Sequence, residues 1–367
     1  MGPEVFVHCR LAGRRVATGR WAASAIVMLY NLHLLRVIAA LGVVYFHITS
    51  VAGLKLDWDV GSRGVDVFFV ISGFIIAYFG TSKPEQFFLR RIIRVVPFYW
   101  AATLFVFAIV SVAPNLFHTT TASVTHLLAS LAFVPHMASN GDMLPTLVLG
   151  WSLNYEMFFY IWFAVSLRIS PRWAPVICAS ALIAVMLAIN ASHSQSDVMQ
   201  FYARPIILEF CYGLAVFYVF QWCSARREAM ARIPGFKWLL LILLVGNLIA
   251  LNVFEECCSD TLPRYIVAGV PSFFIVLSAL LLERVFGLAT RNKLIYLLGE
   301  ASYIIYLVHP YIIFTVLRVV ARGAEHWSSP AIAALILALL GLVSAISIAI
   351  HVWFEKPVMA FLRARLT

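Results

Sequence analysis

The feature that most constrains the fold of this chain is a succession of long apolar segments separated by short loops. Each segment is close to the roughly 17–25 residues that a helix needs to cross a bilayer. Only helices and closed barrels satisfy their backbone hydrogen bonds in lipid. We place about ten such segments, near residues 34–54, 64–80, 94–113, 147–167, 173–190, 201–222, 237–254, 263–282, 294–317 and 329–353. The sequence therefore predicts an all-α, polytopic integral membrane protein.

The distribution of Lys and Arg predicts how the chain is oriented in the lipid bilayer. The net charge of +10 could indicate a nucleic-acid partner, but most basic residues lie in short loops between apolar segments, so we expect none. One side holds few of them, namely Lys55, Arg63, Arg204, Arg264, Arg318 and Arg322. The alternate loops hold nearly all the others. Because cytoplasmic loops carry the positive excess, we expect both termini to be cytoplasmic.

The membrane domain is expected to cover residues 31–360. Residues 1–30 are basic and lack a clear apolar core with a cleavage site, so we expect either a disordered basic tail or a misassigned start, with translation beginning at Met28. Residues 361–367 are expected to be a cytoplasmic tail. The cysteines lack zinc spacing, so we expect no metal. We also expect no metal site in the outer loop, where a short helix is predicted at 123–135. The histidines of this loop are too widely spaced for one: His118, His126 and His136.

Arg36 and His47 place two titratable groups inside the first apolar segment. At about 100° and 1.5 Å per residue, they share one helix face and lie about 16 Å apart along it. Ionisable residues within a span usually face a pathway or a polar cavity. The alternative is a snorkelling arginine and a hydrogen-bonded histidine.

Asp66 opens the second span from the outer side, at the depth expected for His47. A carboxylate beside an imidazole would fix its tautomer and raise its basicity. Asp66 could equally cap its own helix. The small residues Ser72 and Gly73 predict that a second helix approaches closely there.

Arg91 and Arg94 are three residues apart on the cytoplasmic side, so they share a helix face. Such a pair can bind phosphate oxygens with a planar fork that Lys cannot form. The ordinary interpretation of such a cluster, taken alone, is a topological anchor.

Polar residues also mark two later spans. Ser152, Glu156 and Tyr160 are spaced four apart in the fourth span and form one stripe, which places Glu156 at the depth of His47. In the ninth span Ser302 and His309 share a face. Two further features are expected to be structural: an ion pair between Arg204 and Glu209, and the segment Glu355-Lys356-Pro357 at the end of the last span.

Together these motifs resemble the membrane acyltransferase-3 family, and most of all its exopolysaccharide and lipopolysaccharide O-acetyltransferases. The resemblance runs from about Asn31 to Pro357. It is carried by Leu35-Arg36 through His47, Gly64-Val-Asp66-Val-Phe-Phe-Val-Ile-Ser72-Gly73-Phe74, Arg91-x-x-Arg94, Gly150-Trp151-Ser152-Leu-Asn-Tyr-Glu156 and Ser302-Tyr303 through His309-Pro310. It implies a bacterial inner-membrane enzyme that moves an acyl group from cytoplasmic acyl-coenzyme A, most simply acetyl-CoA, to a glycan or lipid-linked sugar at the outer side.

The residues fit that chemistry. Arg36, Arg91 and Arg94 would bind the donor, and His47 would act as the general base with Asp66 or Glu156 orienting its ring. A covalent acetyl-His47 intermediate is the rival mechanism. We expect a substrate channel that crosses most of the membrane, lined also by Ser72, Trp151, Tyr303 and His309.

Two other classes stay open on the residues alone. A transporter would also bury Arg, His and Glu, but more often shows internal repeats, which we do not find. A non-catalytic scaffold would not need Arg36 and His47 on one buried face. Within the enzyme class, the acceptor could instead be a lipo-oligosaccharide or a secondary metabolite.

Overall fold

A computed structural model describes residues 28–52, 61–114, 120–258, 261–320 and 328–366, with the side chains of 254–258 excepted. These residues form an all-α fold without strands; their one β-bridge joins Met137 and Met143. Residues 1–27 of the predicted tail, His118 and the side chains of Cys257 and Cys258 lie outside the described residues.

The long helices follow the predicted apolar segments. They are α1 (Tyr30–Val51), α2 (Gly64–Ser82), α3 (Phe87–Val112), α5 (Gly150–Ile169), α6 (Ala174–Ala191), α8 (Leu208–Ala225), α10 (Phe236–Cys258), α11 (Val270–Phe286), α12 (Lys293–Val320) and α13 (Ser329–Ile350). The shorter ones are α4 (Val124–Leu131), α7 (Asp197–Tyr202), α9 (Arg227–Arg232) and α14 (Lys356–Leu366). The short helix predicted in the outer loop is thus confirmed as α4, and α14 contains most of the predicted C-terminal tail.

Nine spans among the described residues are long and apolar enough to cross a membrane. The helix at the remaining predicted position, α5, is long enough but less apolar, because it carries the polar stripe of the fourth segment. It nevertheless lies in the core, where Tyr155, Phe159 and Phe163 are fully buried. The chain is therefore a polytopic α-helical membrane protein.

Local sequence accounts for several helix ends. Asn292 begins α12 by accepting hydrogen bonds from the backbone N–H groups of Leu294 and Ile295 at 2.8 and 3.2 Å. Gly287 ends α11 with a φ of 68°, a conformation that suits glycine. Within α12, Pro310 follows His309 and has no N–H to give to the preceding turn, so the helix is weakened at that level.

Two close helix pairs position the polar residues. Helix α1 packs along α12, and α2 packs along α8. A Cβ on Gly73 would lie 2.3 Å from the carbonyl oxygen of Phe210, and one on Gly213 would lie 2.2 Å from that of Val70. The predicted close approach at Gly73 is confirmed, and Gly213 is the residue that it meets.

Two π-turns interrupt the regular helices. One, Tyr265–Gly269, leads into α11, and the other, His351–Glu355, joins α13 to α14. Such turns are rare and often occur at functional sites. Both lie beside charged residues that belong to the site described next.

Candidate active site

Helices α1 and α12 meet through two polar contacts. Nε of Arg36 donates to Oγ of Ser302 at 3.1 Å. Further along the same two helices, the rings of His47 and His309 lie edge to face with centroids 5.0 Å apart. The shared helix faces that the spacing predicts thus come together, and they form one polar strip between two apolar helices.

The backbone fixes the tautomer of both histidines. Nδ1 of His47 lies 2.9 Å from the carbonyl oxygen of Val43, and Nδ1 of His309 lies 3.0 Å from that of Ile305. A carbonyl oxygen only accepts, so Nδ1 carries the proton in each ring. Nε2 of each neutral ring therefore keeps its lone pair, and Nε2 of the fully buried His309 has no hydrogen-bond partner among the described residues. The prediction that a carboxylate orients His47 is wrong, because Val43 holds that ring.

Glu156 instead joins α5 to α2. One of its oxygens accepts from Oγ of Ser72 at 3.1 Å and from the hydroxyl of Tyr160. The polar stripe of α5 also reaches α12, where Oγ of Ser152 lies 2.8 Å from the hydroxyl of Tyr306. The sequence gives these helix faces correctly, but Glu156 contacts Ser72 and Tyr160 rather than an imidazole.

Asp66 is paired with Arg264, which the sequence analysis counts only as one of the few basic residues of the predicted outer side. Both its oxygens accept from Arg264 at 2.8 Å, and Asp66 is fully buried. Glu209 is also fully buried, 3.9 Å from Nε of Arg264. The prediction that Asp66 orients His47 is therefore wrong, because this bidentate pair occupies its carboxylate.

The expected ion pair of Glu209 with Arg204 is also corrected. Arg204 is exposed and lies over the ring of Phe201, 5.6 Å from its centroid. The cation beside Glu209 is instead Arg264, which directly precedes the π-turn Tyr265–Gly269. Sequence separation concealed this contact, since the two positions belong to different spans.

The two arginines of the Arg91-x-x-Arg94 motif differ in their contacts. Arg94 is bound by the buried carboxylate of Glu355, by the carbonyl oxygen of Glu300 at 3.2 Å and by the sulfur of Met359 at 3.4 Å. Arg91 makes no hydrogen bond to the described residues. Its guanidinium lies 5.8 and 5.9 Å from the ring centroids of Phe87 and Tyr160. Arg91 therefore offers its full set of donors, whereas Arg94 is largely engaged.

Two aromatic residues expected along the channel pack beside these groups. Tyr303 lies under the guanidinium of Arg94, whose carbon is 5.7 Å from the ring centroid, and its hydroxyl donates to the carbonyl oxygen of Val95 at 2.7 Å. Trp151 packs edge to face on Phe69, with centroids 6.3 Å apart. Tyr303 thus borders the arginine cluster, which consists of Arg91 and Arg94. Trp151 belongs to the aromatic core of α2 and α5.

Arg36 stands between the arginine cluster and the histidine pair. It interacts electrostatically with Arg94 and with the carboxylates of Glu355, Glu156 and Glu300. Its terminal nitrogens have no hydrogen-bond partner in the described part of the chain. Two guanidinium groups, those of Arg36 and Arg91, are therefore available to an anionic ligand near the half-buried carboxylate of Glu156.

The fold and site define a multi-pass α-helical membrane protein with arginines on α1 and α3 and a pair of histidines further along α1 and α12. A family model described as "Acyltransferase domain" matches residues 29–352. The chain belongs to this acyltransferase-3 family and is an acyltransferase of the O-acetyltransferase type. The resemblance inferred from the motifs is confirmed.

Two relatives are similar over most of their length. The chain is 34% identical over 318 residues to "Exopolysaccharide production protein ExoZ" of Rhizobium meliloti (strain 1021), covering 84% of this chain and 92% of the relative. It is 26% identical over 365 residues to "Acyltransferase MdmB" of Streptomyces mycarofaciens, covering 88% and 85%. No solved structure gives a significant match.

Proposed function

We propose that this acyltransferase moves an acetyl group from cytoplasmic acetyl-CoA to a hydroxyl of an exopolysaccharide or another surface glycan. The reaction takes place at the outer side of the bacterial inner membrane, with both termini of the chain in the cytoplasm. The observation that carries the proposal is the pairing of α1 with α12, which aligns Arg36 with Ser302 and His47 with His309. One helix pair thereby joins an anion-binding end to a basic end. The similarity to an exopolysaccharide production protein supports a glycan acceptor.

The arginines at the donor end suit coenzyme A, because coenzyme A carries phosphates and a long polar arm. Arginine binds phosphate with a planar fork, and such charge-assisted contacts are the stronger hydrogen bonds in proteins. Arg91 has its donors unengaged, and Arg36 has its terminal nitrogens unengaged, in the described residues. In this proposal Arg91 binds a phosphate at the cytoplasmic mouth. Arg36 contacts the donor deeper along the route.

At the histidine centre, Nε2 of His47 takes the proton of the acceptor hydroxyl. The oxygen then attacks the thioester carbonyl carbon, the C–O bond forms and the C–S bond breaks. The coenzyme A sulfur leaves as a thiolate and receives the proton from His47, so the protons balance. The rival route acetylates Nε2 of His47 first and transfers the acetyl group to the hydroxyl in a second step.

A purified-protein assay tests the proposal. The protein in lipid nanodiscs is given acetyl-CoA and an oligosaccharide acceptor, and free thiol is measured as coenzyme A leaves. We expect acceptor-dependent release that His47→Ala abolishes. Absence of release with every acceptor class, including a lipo-oligosaccharide and a secondary metabolite, would favour a transporter instead.

A second measurement separates the two chemical routes. Protein mixed with radiolabelled acetyl-CoA and no acceptor is denatured within seconds and its label is counted. Label retained on the chain and lost in the His47→Ala variant indicates the covalent route, whereas no retained label indicates direct transfer.

Deletion of the gene should remove acetyl signals from the surface glycan of the native cell.

A further inference from the structure

The end of the last span holds a charged cluster that the sequence treats as structural. Glu355 is fully buried, one of its oxygens accepts from Arg94, and the other accepts from Nδ1 of His351 at 2.6 Å. His351 is itself 2% exposed. A buried carboxylate with both oxygens engaged is held in one orientation, since turning it would leave two charge-assisted bonds unmade.

The backbone at this point is a π-turn over His351–Glu355. Single π-turns are uncommon in helices and often occur at functional sites. Here the turn carries the imidazole at its first residue and the carboxylate at its last. The carboxylate of Glu355 faces α3, where it receives the guanidinium of Arg94.

The cluster also reaches α12. Nε2 of His351 lies 3.8 Å from a carboxylate oxygen of Glu300, while Arg94 donates to the backbone carbonyl of Glu300 at 3.2 Å. Glu300 is two residues before Ser302, which binds Arg36. The π-turn, Arg94 and the start of the polar strip on α12 therefore form one connected set of contacts.

On the basis of the proposed function, we propose that His351 and Glu355 are positioning residues for the acyl-CoA donor site. His351 fixes Glu355, and Glu355 fixes Arg94 beside the start of the polar strip on α12. Arg94 then aligns the cytoplasmic end of α3 with α12. Arg91, one turn away on the same face of α3, is left as the arginine that binds phosphate.

The test compares Glu355→Gln with Arg94→Ala and with the double variant in nanodiscs. Glu355→Gln keeps the shape but removes the charge that holds Arg94. We expect the apparent KM for acetyl-CoA to rise about tenfold, as for loss of a charge-assisted contact. We expect the KM for the acceptor to stay unchanged. Because both changes break the same contact, the double variant should bind no more weakly than Arg94→Ala alone.

Glu85→Gln is the matched control, because Glu85 is an exposed carboxylate just before α3. Equilibrium binding of free coenzyme A, measured by calorimetry, gives a readout that does not depend on turnover. Thermal unfolding shows whether each variant is folded. Glu355→Asp should restore part of the affinity, and His351→Gln should give a smaller loss than Glu355→Gln.

Two results would overturn the positioning role. One is an unchanged affinity of Glu355→Gln for coenzyme A in a folded protein, and the other is an equal rise in the KM of donor and acceptor. Arg91→Ala distinguishes this failure from failure of the proposed function. If Arg91→Ala weakens donor binding while Glu355→Gln does not, the donor site stands and the positioning role falls. If neither variant changes donor binding, both fall.

Discussion

The imidazoles of His47 and His309 face each other across α1 and α12, with ring planes at 68° and centroids 5.0 Å apart. Each ring gives its Nδ1 proton to a backbone carbonyl one turn earlier in its own helix. The pair therefore presents two nitrogen lone pairs and no fixed charge of its own. A centre of this kind can accept a proton without first losing a carboxylate partner.

His47→Ala should abolish acetyl transfer while leaving the protein inserted and folded. General-base catalysis contributes roughly 10²- to 10⁴-fold, so activity should fall to the background of the assay. The measurement is acceptor-dependent coenzyme A release, with protein amount checked by gel filtration in detergent. His193→Ala is the control, because His193 is exposed in a loop. Near-normal turnover by the His47 variant would contradict the proposed base.

His309→Gln should lower kcat with little change in the KM for acetyl-CoA. The ring of His309 is buried against His47 and distant along α12 from the arginine cluster, so its loss affects the basic end alone. Glutamine keeps a polar side chain at this buried position, which limits the effect on packing. Steady-state kinetics over a range of donor concentrations gives both constants. A pure rise in the KM for the donor would place His309 in the binding route instead.

Arg91→Ala should weaken acetyl-CoA binding roughly ten- to a hundredfold, the usual worth of a forked charge-assisted contact. Arg91→Lys should restore the affinity only in part, because an ammonium group cannot form the planar fork. Arg90→Ala is a matched control on the same turn, since Arg90 donates to the backbone carbonyl of Lys83. Equal effects of Arg90→Ala and Arg91→Ala would indicate a general positive field.

Asp66→Asn should destabilise the protein more than it changes the chemistry. The carboxylate makes a bidentate pair with Arg264, and breaking a fully buried pair costs about 3–5 kcal/mol. Because the Arg264 side chain is 35% exposed, we expect about 1–3 kcal/mol instead. Thermal unfolding measures this loss. Arg264→Gln combined with Asp66→Asn should recover part of the lost stability. A stable but inactive Asp66→Asn protein would indicate instead that Asp66 takes part in the reaction.

Acid should loosen the loop that follows α4. The rings of His126 and His136 are tilted against each other with centroids 4.7 Å apart, and burial, with a smaller effect of His126, lowers the pKa of His136. Because the unfolded loop binds a proton more readily than the folded one, its stability falls as pH drops through the ordinary histidine range near 6.5. Hydrogen exchange at pH 7.5 and 5.5 measures this change. His136→Gln should remove most of the pH dependence.

The helices could be predicted from the sequence because lipid leaves so few alternatives for an apolar segment of this length. The shared faces of Arg36 with His47 and of Ser302 with His309 followed from helical periodicity alone. The partners of the charged residues could not be predicted. Arg94 binds Glu355, 261 residues away, and Asp66 binds Arg264, 198 residues away. A sequence shows that a buried charge needs a partner, but only the packing of helices selects it.

The backbone contact between Gly73 and Gly213 has a consequence for motion. At this crossing no side chain separates α2 from α8, so their main-chain atoms are in close contact and resist rotation or sliding of one helix past the other. Arg264 joins the same two helices again through Asp66 and Glu209. The pair therefore behaves as a rigid wall. We therefore expect any opening of the site to involve the other helices, and the proline after His309 provides a kink-prone position for it in α12.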